Sequence, residues 1–178
     1  EELAIPVFLY EKSASNDQRI DLAKIREGEY EGMFDKIKSA NWKPDFGPSE
    51  NHKTAGVTAI GVRNFLIAYN VNLNTSEKRI ATDIALSIRE KGRNKRDKKG
   101  KFVRDKDGIP IKAPGTLKNV KAVGWYLEEF GIAQISMNLT DYSVTSVHKA
   151  FEEVRKEARQ RGVRVTGSEI VGLVPLDS

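Results

Sequence analysis

LIAYNVNL, residues 66–73, decides the fold. Its apolar positions alternate strictly, which marks a strand: Ile67, Tyr69, Val71 and Leu73 share one face, and Ala68, Asn70 and Asn72 share the other. Two side-chain amides on an otherwise apolar strand need a physical reason. A buried amide must be hydrogen-bonded, whereas an exposed one is open to a ligand.

The elements that follow repeat this logic. Asn74, Thr75 or Ser76 can cap a helix running from Glu77 to about Lys91, with Ile80, Ile84, Leu86 and Ile88 turned inward. A second strand is expected over Val120–Glu128, with Val123, Trp125 and Leu127 on one face and Ala122, Gly124 and Tyr126 on the other. After a turn at Glu129–Gly131 comes a third strand, Ile132–Leu139. It sets Ala133, Ile135, Met137 and Leu139 against Gln134, Ser136 and Asn138. A helix from about Val144 to Arg161 carries Val147, Ala150, Phe151, Val154 and Ala158 at helical spacing, and Gly162 ends it. A last strand lies within residues 163–174. The order β-α-β-β-α-β predicts an α+β fold of the split βαβ, or ferredoxin-like, kind: a four-stranded antiparallel sheet with both helices on one face. The helices are expected to cover the odd-numbered apolar positions of three strands. Asn70, Asn72, Gln134, Ser136 and Asn138 then gather on the open face, with the first and third strands as central neighbours. Lys, Glu and Thr are the usual residues of a solvated face; amides dominate here, which favours substrate binding.

Upstream, Ile5 to Tyr10 reads as a short strand and Glu11 to Asp21 as a polar connection. Leu22 to Ala40 has helical spacing, broken at Gly28. Trp42 to Gly56 is rich in Gly, Pro and polar residues and on its own reads as a connector; Val57 to Arg63 leads on to the central strand. Residues 92–112, GRNKRDKKGKFVRDKDGIPIK, are strongly basic with Asp interspersed. A hairpin about Asp107-Gly108 is expected there, either simply solvated or a lure for a polyanion.

Composition sets the bounds. The 178 residues suffice for one full domain or two small ones, and the net charge of +5 suits an acidic partner. The absence of cysteine excludes disulfides, cysteine metal sites and thiol nucleophiles, and is compatible with a reducing cytoplasm. His52 and His148 are too few for an all-histidine zinc site, so no metal site is expected. No run is apolar enough to span a membrane. EELAIPVFLY has neither an initiator Met nor a signal peptide; it reads equally as a start inside a domain or as a Met-less terminus.

PDFGPSENHKTAGVTAIGVRNFLIAYNVNL, GTLKNVKAVGWYLEE, AQISMNLTDY and SEIVGLVPL, in that order, resemble glutamate formiminotransferases over nearly the whole chain. The resemblance implies transfer of a formimino group between N-formimino-L-glutamate and tetrahydrofolate in histidine degradation. It implies two subdomains of similar α/β build with folate between them: residues 1 to about 65 as the end of the first, 66 to 178 as most of the second. The family's folate-contacting loop corresponds to Gly47, Pro48, Ser49, Glu50, Asn51, His52, Lys53, Thr54, Ala55 and Gly56, and a second contact to Gly115, Thr116 and Leu117. The family's catalytic histidine falls in a segment upstream of these residues, so no catalytic residue is assigned and this stretch is expected to be inactive alone. A cytoplasmic location is expected, and a homodimer is left open.

Two other readings compete. An RNA-recognition module shares the topology and would suit a basic chain. Its base-stacking aromatics are missing from the central strands, and Tyr126 is the one candidate nearby. An assembly domain would instead need a large apolar open face, which the amides argue against.

Overall fold

The computed structural model describes residues 3–178. The chain divides into two compact units, Glu1–Arg63 and Asn64–Ser178.

In the first unit, β1 (Val7–Glu11) pairs in parallel with β2 (Thr58–Val62), Leu9 lying opposite Ile60. The second of these strands went unforeseen, because Val57 to Arg63 read only as a lead-in. Between them run α1 (Leu22–Arg26) and α2 (Glu29–Lys36). Gly28 separates the helices as expected, with φ of 85°. Such a positive φ is easy for glycine and costly for other residues. Lys36 closes the junction from the other side. Its ammonium donates to the carbonyls of Lys24, Ile25 (3.2 Å) and Glu27 (3.2 Å) and sits 4.0 Å from the Trp42 ring centroid. One side chain thus satisfies carbonyls that the short helix α1 leaves open. Phe8, Ile25, Met33 and Ile37 form the core.

The second unit contains β3 (Ile67–Leu73), α3 (Lys78–Ile88), β4 (Arg93–Asn94), β5 (Lys112–Ala113), β6 (Val120–Leu127), β7 (Ile132–Leu139), α4 (Val147–Gln160) and β8 (Val165–Val171). The main sheet is ordered β6-β7-β3-β8, and its pairs are all antiparallel. β3 and β7 are adjacent at its centre, as expected. The core joins Ile67, Val71 and Leu73 of β3 and Ile135 and Leu139 of β7 to Ile84 and Ile88 of α3 and Val154 of α4. Leu86 is half-exposed, since Ala81, Ile84, Ala85 and Ile88 form the inner stripe of α3.

The face assignment of β6 is corrected. Val120 and Ala122 are buried, and a Cβ on Gly124 would lie 2.1 Å from the Thr82 backbone nitrogen of α3. The even-numbered face therefore meets the helix. Val123 and Trp125 lie on the open face, opposite Ser136 and Gln134. Alternation fixed which residues share a face; it could not say which face the helix covers when both carry apolar residues. The small pair Ala122 and Gly124 allows the helix to approach closely.

The basic segment is an ordered β-structure. Arg96 bridges Phe102, Arg104 bridges Pro110, and Val103 donates to Lys95 O (2.9 Å) while accepting from Ile111 N (2.8 Å). Its aspartates build turns. Asp97 Oδ1 accepts from the backbone of Lys99 and Lys101, and Asp105 Oδ1 from Asp107 and Ile109. In each turn an arginine closes the loop at 2.6 Å, Arg96 on Gly100 O and Arg104 on Gly108 O. At the base, Arg93 pairs with Asp83 at 2.6 Å, and Arg161 of the α4 C-cap meets the same carboxylate at 2.6 Å. Burial pushes the Asp83 carboxyl up, but hydrogen bonds and charge from Arg161 and Arg93 outweigh it and hold it below its usual value.

Candidate functional site

The loop of the first unit is pinned where it leaves the fold. Asp45 N donates to Val7 O (2.8 Å), and Val7 N to Phe46 O (2.9 Å). The Asp45 carboxylate accepts from Leu9 N and from Arg19 Nη1, both at 2.7 Å. Arg19 is buried, spans to the carbonyls of Asn41 and Lys43, and lies 5.1 Å from the Phe8 ring centroid. Burial raises the Asp45 carboxyl, but hydrogen bonds from Ser15 and Leu9 and the Arg19 charge hold it below the usual range. Gly47 follows with φ of 82°, and a Cβ there would meet Ile5 O at 2.5 Å. Its close approach is to its own chain.

Residues 52–56 fold into a tight hairpin, with His52 N to Gly56 O at 3.2 Å and Gly56 N to His52 O at 2.9 Å. His52 Nδ1 accepts from Ala55 N (3.0 Å) and Thr54 N (3.4 Å). A neutral ring so placed carries its proton on Nε2. Helix α2 supports the turn, because Tyr30 donates from its hydroxyl to Lys53 O at 2.5 Å. Asn51 Nδ2 returns to Tyr30 O at 3.4 Å, while Asn51 Oδ1 is buried and has no partner among the described residues. Asn51, Ala55 and Gly56 line a cavity of about 650 Å³ with Tyr10, Arg26, Tyr30 and Met33 among its walls. Gly47, Pro48, Ser49, Glu50, Lys53 and Thr54 are exposed and do not line it, and His52 is half-buried outside it.

The second contact segment caps a helix. Thr116 N donates to Ser87 O (3.1 Å) and Leu117 N to Ile88 O (2.9 Å), satisfying the last carbonyls of α3. Gly115 passes so close to that helix end that a Cβ would lie 2.0 Å from Arg89 O. The side chain of Leu117 is in the core and that of Thr116 is exposed.

On the open face of the second unit the predicted amides come together, with two partners that the sequence did not reveal. Asn72 lies opposite Gln134, and Asn70 between Ser136 and Glu169. Gln134 is 1% exposed. Its oxygen accepts from Trp125 Nε1 at 2.6 Å, and its nitrogen donates to Asn72 Oδ1 at 2.7 Å and Glu169 Oε1 at 3.1 Å. Asn70 Nδ2 donates to the same Glu169 oxygen at 3.0 Å. The cluster spans all four strands. Asn138 lies opposite Ala68 and is exposed. Trp125, not Tyr126, is the aromatic of this face, and the exposed Val123 and Val171 join it, so the face is less uniformly polar than expected. Glu169 could have been found by carrying the alternation of β3 across to SEIV, but its register depends on a bulge at Asn72/Leu73. Among the described residues no cluster of three or more His, Asp or Glu could hold a metal. No helix there is long and apolar enough to cross a membrane.

The two units thus define an α+β protein whose polar candidate surfaces are a pinned loop and an open antiparallel sheet face. Residues 1–63 match the formiminotransferase domain, N-terminal subdomain, and residues 68–178 match the formiminotransferase domain. The chain is 46% identical over 179 residues to a formimidoyltransferase-cyclodeaminase of Dictyostelium discoideum, covering 100% of this chain and 30% of that protein. It is 47% identical over 176 residues to the protein of that name from Mus musculus, covering 99% of this chain and 29% of that protein. A glutamate formimidoyltransferase of Streptococcus pyogenes serotype M1 is 43% identical over 174 residues, covering 98% of this chain and 51% of that protein. The chain therefore belongs to the formiminotransferase domain family, and it spans about half the length of that glutamate formimidoyltransferase and under a third of the two larger relatives.

Proposed function

We propose that this chain is the folate-handling part of a glutamate formimidoyltransferase, with tetrahydrofolate as co-substrate and N-formimino-L-glutamate as donor, acting in histidine degradation in the cytoplasm. The observation that carries the reading is Asn51, a residue of the wall of the cavity beside the loop, whose buried Oδ1 has no partner among the described residues. Such an atom costs stability unless a ligand or water donates to it. Beside it, Tyr10 and Tyr30 offer flat surfaces and Arg26 a charge. A planar ring with N–H donors and an acidic tail suits that combination. The element order and strand order of the second unit support a ferredoxin-like arrangement, whose open face would carry Asn70, Asn72, Gln134, Ser136 and Asn138 toward substrate.

The chemistry is a transfer between two nitrogens. A folate nitrogen attacks the formimino carbon and forms a C–N bond, giving a tetrahedral intermediate. The bond from that carbon to the glutamate nitrogen then breaks, and the proton shed by the folate nitrogen ends on the leaving amine. A histidine suits that proton movement, since its pKa lies near neutrality. The family resemblance puts that residue upstream, and no motif match assigns the role to His52.

The test is transfer of the formimino group by the natural polypeptide that carries this sequence, together with calorimetry of tetrahydrofolate binding. Asn51→Leu should weaken tetrahydrofolate at least tenfold with little change in melting temperature. Unchanged affinity places the cavity outside the site, and an absence of transfer overturns the function.

A further inference from the structure

The open-face cluster is built around one carboxylate. Glu169 takes two N–H bonds, from Asn70 at 3.0 Å and Gln134 at 3.1 Å, and both fall on Oε1. Those bonds saturate that oxygen's two acceptor positions. No described residue bonds Oε2, and Glu169 is exposed. Gln134 cannot turn outward, because both its amide hydrogens and its oxygen, the latter bonded by the Trp125 indole N–H, are spent within the cluster. The carboxylate is thus clamped by one oxygen and open at the other.

The floor beside it is open at its β8 end. The row Trp125, Gln134, Asn72 crosses the sheet and ends on β8 at Gly167, where a Cβ would meet nothing within 4 Å. Trp125 stands at one end of this floor and Glu169 near the other. A held anionic acceptor beside a shallow floor with an aromatic rim fits a flat group that donates N–H bonds.

We propose that Glu169 anchors the N–H edge of an N–C–N group, a chemistry shared by the amidine of formimino-glutamate and the 2-amino-4-oxo edge of a pterin. Charge-assisted N–H···O bonds of this kind are short and roughly twice as strong as neutral ones. Asn70 and Gln134 act as positioning residues, holding the carboxylate in place before the ligand arrives. The inference rests on the formimidoyltransferase reading and deepens it.

Glu169→Gln tests it. The new side chain can keep its oxygen toward Asn70 and Gln134, which turns its NH₂ outward and replaces the free acceptor with a donor. In the natural polypeptide, calorimetry with N-formimino-L-glutamate and with pterin should show a tenfold or larger loss for one of them, with an unchanged melting temperature. The probe that weakens identifies which group docks. L-glutamate, which lacks an amidine, should bind Glu169→Gln and the parent alike. Glu169→Ala serves as a second variant and should weaken the same probe. If both variants bind both probes as tightly as the parent while formimino transfer persists, this inference fails alone. If the parent shows neither transfer nor affinity for either probe, the functional reading fails and this inference with it.

Discussion

Gln134→Leu removes the centre of the open-face cluster while keeping a side chain of similar size. The parent residue is 1% exposed and makes hydrogen bonds of 2.6, 2.7 and 3.1 Å to Trp125, Asn72 and Glu169. Two of these are neutral, at about 0.5–1.5 kcal/mol each, and the third ends on a carboxylate, at about 1.5–3 kcal/mol, so the gross loss is about 2.5–6 kcal/mol. Two effects reduce it. Trp125 is 42% exposed, and Glu169 is exposed, so both can turn to water. Leucine also gains from burial, at roughly 25 cal/mol per Å² of apolar surface. A net destabilisation of about 1–3 kcal/mol remains. Asn138→Leu is the matched control: it lies on the same face but is exposed, and no described side chain bonds its amide, so it should stay within about 0.5 kcal/mol of the parent. Urea unfolding, read by NMR at the indole N–H of Trp125, follows the second unit by itself. The protein has two tryptophans, and the other, Trp42, lies in the first unit. Equal effects of the two substitutions, whether both small or both large, would refute the claim that the buried cluster is what distinguishes these amides.

The remaining predictions concern both units. Because Asp45 is held below the usual value of 3.8, its contribution to the first unit is complete above that pH and is lost as pH falls through the lowered native value; Asp45→Asn should flatten this acid limb in pH-dependent melts. Asp45→Ala should cost about 3–5 kcal/mol in urea unfolding, since the buried Arg19 loses its counter-charge. Gly124→Ala forces the β6–α3 contact apart, with a Cβ at 2.1 Å from backbone, and should lower the stability of the second unit by about 1–3 kcal/mol in the same assay. Replacing Lys95, Arg96, Lys98 and Lys99 with Ser should reduce any preference for folates with long glutamate tails only modestly, because exposed pairs contribute about 0.2–1 kcal/mol each; raising the salt concentration should erase the same margin.

Periodicity made the second unit legible. β3, β7 and α4 announce themselves by apolar spacing, and the neighbouring positions of β3 and β7 follow from their order. Where two faces of a strand are both apolar, the pattern is silent, and β6 turns the face opposite to the expected one, with Gly124, against α3. Glu169 is hard to place from sequence for a different reason. Its role depends on pairing with Asn70, ninety-nine positions earlier, through a strand that carries a bulge. In the loop, the glycines were legible as backbone freedom, but not what approaches them: Ile5 O at Gly47 and the Tyr30 ring at Gly56. The aspartates of residues 92–112 read only as acidic residues interspersed in a basic segment, whereas Asp97 and Asp105 bond backbone N–H groups in their own turns.

The two candidate surfaces share one chemical sense. Among the described residues, the first unit offers Asn51 Oδ1 as a buried acceptor without a donor, and the second offers Glu169 Oε2 without a donor on a carboxylate clamped through Oε1. A reaction between a formimino group and a reduced pterin brings ligands whose reactive ends are rich in N–H groups and whose remote ends are carboxylates. Acceptors fixed by buried bonds suit the reactive ends, since their orientation is set before binding and little freedom is lost on contact. Cations on longer side chains suit the remote ends, where strict geometry matters less. The second unit has such a surface apart from its open face: a cleft of about 600 Å³ between α3 and the basic segment, lined by Arg89, Arg93, Lys95, Arg96 and Lys112. If the proposed function holds, the amides and carboxylate of the sheet would orient the reactive end while the cations of this cleft attract the tail.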